Sequence, residues 1–200
     1  GMLQDDEPYA YTGADGSFSI DTDGETGDLI VTTDNAVVAA AGLSISAVDT
    51  SSSTSLSNVT LSAPSGATVV SPTSTLINES TLTEAEVKAA LGLTGVSNLL
   101  TFNPYADGVN AEDALAVAKI SKQITTAIKS FASASEGAGA NEKDAFEAAL
   151  NSVVDVVKTK AGNLGNSSAS AADKKLDFTK SDDLNLIKAK AISEVASKPG

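Results

Sequence analysis

The chain has 200 residues, enough for one domain with a real core or for two small ones. Twenty-six acidic residues outweigh thirteen lysines, a formal net charge of −13 with no arginine, and this argues strongly against nucleic acid and against anionic lipid as partners. There is no cysteine or histidine, so a disulfide, a thiolate site, a Ser-His-Asp triad and the usual zinc centre are all excluded.

Hydrophobic residues make up 42% of the chain but aromatics only 4%, so the core has to be built from Val, Leu, Ile and Ala. No run of 18 apolar residues exists, and membrane insertion is not expected.

The chain opens on Gly1-Met2-Leu3-Gln4-Asp5-Asp6-Glu7, which fits the second half of a calcium loop: a glycine for the turn and, after five intervening residues, a glutamate. Asp5, Asp6 and Glu7 are therefore candidate calcium ligands. The earlier ligand positions would precede Gly1, so the chain reads as a slice of a longer protein. Asp21, Asp23 and Asp28, with Glu25, form a second acidic cluster around Gly24; this spacing suits either an ion loop or a hairpin turn.

The first third reads as β. Phe18 and Ile20 alternate with serines, Leu29 to Thr33 is a β-rich run, Val59 and Leu61 alternate with Thr60 and Ser62, and Ala67 to Val70 makes a last strand ended by Pro72. Val37 to Val48 suits a strand pair or a short helix, and the Ser/Thr tract Asp49 to Ser57 reads as a loop.

Beyond Pro72 the period becomes helical. Thr83 and Glu86 form a capping box with Leu82 and Val87 as its staple, and Gly92 ends that helix. Asn110 caps a longer helix with Val117, Ile120, Ile124, Ile128 and Phe131 on one face, and Gly137 to Gly139 breaks it. Asn141 caps the next, with Phe146, Leu150, Val153 and Val157. Ser181 caps the last, with Asp182 and Asp183 in its first turn and an apolar face of Leu184, Ile187, Ala191 and Val195. The expected fold is α+β: a small antiparallel β-sandwich-like region over 1–70, truncated at its N-terminus, then an antiparallel helical bundle over 71–200.

Two stretches carry a family likeness. Leu3 to Ile20, with Asp5-Asp6-Glu7-Pro8 and Thr12-Gly13-Ala14-Asp15-Gly16-Ser17-Phe18, resembles the calcium-linked B-type repeats of bacterial surface adhesins, which are immunoglobulin-like sandwiches. Leu61 to Ile77, read as LSAPSGATVVSPTSTLI and followed by Leu91-Gly92-Leu93, resembles a segment of very large secreted calcium-dependent repeat proteins of the RTX-like kind. Thr73 stands where that group usually has leucine. The resemblance implies a non-catalytic structural or adhesive segment, extracellular or at the cell surface, with calcium as a stiffener. Its implied partners are neighbouring modules of the same long chain and a surface glycan or protein. The alternative is a carbohydrate- or peptide-binding module using a groove between the β region and the helices. A carboxylate hydrolase is disfavoured, because such sites stand in aromatic-walled clefts and the chain has three Tyr and no Trp.

Overall fold

The computed structural model describes residues 7–34, 37, 39, 42, 47–49 and 53–197. Within these residues there is no β-sandwich, and that expectation is overturned. Two separate two-stranded antiparallel sheets are present instead: β1 (Leu29–Thr32) pairs with β4 (Thr60–Ala63), and β2 (Ala47–Asp49) pairs with β3 (Thr54–Leu56). The Ser/Thr tract read as a loop thus contributes β3, while most of Val37 to Val48 lies outside the described residues.

One edge of the β1–β4 sheet is closed at β4. Thr33 N–H donates to Val59 O at 2.8 Å, so the register makes Val31–Leu61 and Leu29–Ala63 hydrogen-bonded pairs. Ser62, between them, turns its main-chain groups to the far edge. There its N–H donates to Thr75 Oγ1 at 3.0 Å, and its carbonyl accepts from Ser74 Oγ and Thr75 Oγ1 at 3.0 and 3.1 Å. These hydroxyls belong to α1 (Pro72–Ser80), so a helix closes the β4 edge of this sheet. Ala67 to Val70 accordingly joins no sheet; the Thr68 and Val69 amides both donate to Leu100 O. Phe18 to Ile20 has no strand partner among the described residues either.

Helix α1 was not foreseen, although its start is written in the sequence. Ser71 is the N-cap, its side chain and that of Ser74 closing a capping box, and Pro72 sits at the first turn where its missing N–H costs nothing. Helix α2 (Glu84–Leu91) has the expected Thr83–Glu86 box and ends at Gly92, φ 72°. That left-handed φ favours glycine, and the Lys175 side chain crosses the helix end over it. Next to it, Leu176 N–H donates to Ala90 O at 2.8 Å.

The rest is helical: α3 (Ala111–Gly137), α4 (Glu142–Gly162), the single turn α5 (Ala171–Lys174) and α6 (Ser181–Ser197). Asn110 and Asn141 cap α3 and α4 as expected, and Ser181 is the first helical residue of α6. Helix α4 is the axis of the body, packing against α1, α2, α3 and α6. The sequence showed one apolar stripe on it, yet Ala148, Ala149, Ser152, Val154 and Val156 are buried as well; a helix surrounded on most sides needs small or apolar residues nearly all round. Lys160 reaches Asp183 and Lys190 reaches Asp155, so α6 runs antiparallel to α4. The core unites Ile124, Ile128, Phe146, Leu150, Val153, Val157 and Ile187 with Leu76, Val87 and Leu91, and half-buried Ile120 packs on it.

Candidate functional site

Among the described residues the expected calcium ligands are not brought together. Asp5 and Asp6 lie outside the described residues, and Glu7, Asp21, Asp23 and Asp28 are exposed. Asp21 Oδ1 accepts the Asp23 N–H at 3.1 Å, closing a turn in which Asp23 and Gly24 take φ 49° and 85°. Asp28 points elsewhere, accepting from Asn78 Nδ2 of α1 at 3.0 Å. Among the described residues no three acidic side chains are placed to share an ion. The first turn of the arm is built likewise: Asp15 Oδ1 accepts from Ser17 N and Oγ at 3.0 and 2.7 Å, and these bonds hold its carboxyl below the usual aspartate range. These aspartates shape the arm's turns, and no helix or strand includes residues 7–28. Tyr9 and Tyr11 stand exposed on it.

A cleft of about 170 Å³ opens where the segment before β4 meets the α3–α4 hairpin. Val59, Ala132 and Phe146 form its apolar part; Lys129, Glu136 and Glu142 supply charge. Glu142, the first residue of α4, has both carboxylate oxygens engaged: Ser57 Oγ donates at 2.6 Å and Asn58 Nδ2 at 2.5 Å. Asn58 reaches it from a left-handed conformation, φ 49°, which Asn tolerates better than most residues. Nothing in the local sequence around Asn58 marks this contact. It spans 84 positions, and no local pattern encodes it.

A buried ion pair lies at the opposite end of α4. Lys160 and Asp183 are 5% and 6% exposed, with Nζ 2.5 Å from Oδ1. Lys160 Nζ also donates to Ala172 O at 2.6 Å, and Asp183 Oδ2 accepts the Asp177 N–H at 2.8 Å. This ion pair ties three segments together and is almost wholly withdrawn from solvent.

Comparison of the chain with family models, curated proteins and solved structures finds no match. No helix among the described residues is long and apolar enough to cross a membrane.

Proposed function

We propose that this chain is a non-catalytic structural and adhesive segment of an extracellular or cell-surface protein. On this reading its helical body is a rigid block, and the arm Glu7–Asp28 meets a neighbouring module of the same long chain or a surface partner. The observation that supports it is the pair Tyr9 and Tyr11, each 56% exposed on an arm with no helix or strand. Residues two apart share one face of an extended backbone, so both rings are available to a single surface. Covering two such side chains is worth about 3 kcal/mol or more, and Tyr carries much of the energy in contacts of this kind. Calcium enters the proposal as a weak ligand of the arm, in the range of the weakest extracellular modules.

A second reading, a carbohydrate- or peptide-binding module, draws on the cleft beside Glu142. Its mixed apolar and charged lining suits one sugar ring or one basic side chain, although it is smaller than most small-molecule sites. A single experiment separates the two. Beads coated with the chain, with a Tyr9→Ser/Tyr11→Ser variant and with a Glu136→Gln variant are tested for retention on immobilised glycans and extracellular proteins. The first reading expects retention that is lost in the tyrosine variant while its melting temperature stays unchanged. Retention lost only in Glu136→Gln moves the function to the cleft, and the absence of retention by the parent chain overturns both readings.

A further inference from the structure

The β1–β4 pair is closed on one side and, among the described residues, open on the other. On β4, the outward N–H and C=O of Ser62 are taken by Thr75 and Ser74, so that edge is complete. On β1, Ile30 and Thr32 are the non-hydrogen-bonded partners of Ser62 and Thr60, and their main-chain groups face away from β4. Sheet pairing on β1 stops at β4, and no described residue bonds those outward groups. Ile30 itself is 62% exposed.

Proteins usually blunt such an edge with lysine, proline, a bulge or a covering element. This strand, Leu29-Ile30-Val31-Thr32, has no charge and no proline. What its surroundings offer is a sign. Asp21, Asp23, Glu25 and Asp28 crowd the eight residues before it, all exposed and with no lysine among them. At the other end Asp34 is buried, with Lys143 Nζ 3.8 Å from its Oδ2. The uncompensated negative charge therefore lies at the N-terminal end of β1.

We propose that β1 is a docking edge for an antiparallel β-strand of a partner protein, an uncharged strand followed by basic residues. Antiparallel addition aligns the partner's C-terminal flank with the N-terminal end of β1, and basic residues placed there meet Asp28 and the acidic turn before it. Main-chain hydrogen bonds to Ile30 and Thr32 supply the affinity, and the flank supplies the selectivity. A second copy of this chain fits poorly. Pairing β1 with itself in antiparallel sense centred on Val31 sets Asp28 opposite an Asp34 and brings together two bodies of net charge −13. The inference stands apart from the tyrosine arm and the cleft, and holds whether or not either binds.

The test uses the full chain and a labelled peptide with a Thr-Val-Thr-Val-Lys-Lys core, read by fluorescence anisotropy. Binding is expected to weaken by about tenfold or more when the lysines are moved to the N-terminal side, and to be lost when the peptide amides on one edge are N-methylated. Ile30→Pro is expected to abolish binding with far-UV circular dichroism unchanged, because the N–H it removes points away from β4. The N-methylated peptide keeps the test decisive if Ile30→Pro unfolds the sheet. No binding up to about 1 mM, equal binding by both flank orders, or equal binding by the N-methylated peptide would overturn the proposal. So would sedimentation showing a dimer of the chain that Ile30→Pro dissolves.

Discussion

Replacing Lys160 with methionine keeps the aliphatic stem and deletes the ammonium. Asp183 is then left as a buried carboxylate whose Oδ1 has lost its cation, while Oδ2 keeps the Asp177 amide. The Ala172 carbonyl loses its donor as well. Breaking one side of a buried pair costs about 3–5 kcal/mol, far more than the 0–1 kcal/mol of a surface pair. For a chain of this size about 4 kcal/mol lowers the melting temperature by roughly 8–16 °C. The loss should also show where it acts, because Lys160 ends α4, Asp183 opens α6, and the segment between them crosses Gly92. The double variant Lys160→Met/Asp183→Asn removes both charges and keeps an acceptor for Asp177. It should therefore be clearly more stable than Lys160→Met alone, with a coupling of about 2 kcal/mol or more in a urea-unfolding cycle. A Lys160→Met midpoint within about 0.5 kcal/mol of the parent would refute this reasoning, because the pair would then behave as a solvated one.

Ile124 is fully buried in the helical core, and Ile124→Ala should cost about 2–5 kcal/mol by thermal or urea unfolding; a cost under about 1 kcal/mol would place it at a loosely packed surface. Thr83→Ala removes the acceptor for the Glu86 N–H and should cost about 1 kcal/mol, with an unchanged midpoint counting against the cap. Acid should weaken the fold in a defined window. The Thr83 hydroxyl and amide hold the Glu86 carboxyl below its usual range, and Ser170 and Thr179 do the same for Asp173 and Asp177. Lowered folded-state values mean that this stability is fully present above the ordinary carboxylate range, about 3.9–4.3, and fades as pH falls through the lowered values. Melting temperature should therefore stay level from neutral pH to about 5 and drop below about 4, less steeply in Glu86→Gln; a profile identical in that variant would remove Glu86 from the account.

The helical two-thirds were legible because their signals are local. Asn110, Asn141 and the Thr83–Glu86 box mark helix starts within three residues, and the spacing of Ile124, Ile128, Phe146 and Leu150 states which faces are buried. In the β third the runs at Leu29 to Thr33 and Val59 to Ser62 were legible as β1 and β4, but the sheet they build was not, because strand pairing is decided at a distance. Ser17 to Ile20 and Ala67 to Val70 have strand-like patterns, yet the one edge of β4 that could extend the sheet is filled by Thr75 and Ser74, hydroxyl residues that read as ordinary turn and cap chemistry. The same Ser71-Pro72 pair that looked like the end of a strand is a helix start. The cluster Asp21, Asp23 and Asp28 was read as either an ion loop or a hairpin turn; in the structure Asp21 closes a turn on Asp23 and Asp28 binds Asn78. Glu142 with Ser57 and Asn58, and Lys160 with Asp183, went unnoticed because each joins residues at least 23 positions apart.

The central claim is that a packed helical body carries Glu7–Asp28 as an open contact arm, and amide hydrogen exchange on the isolated chain tests it most directly. The account expects strong protection in α3, α4 and β4 and unprotected exchange at Ala10 to Thr12 and at Phe18 to Ile20, with protection appearing there once a partner is bound. Slow exchange at Phe18 to Ile20 in the isolated chain would contradict it, since those amides would already be paired within the molecule and the arm would offer no free surface.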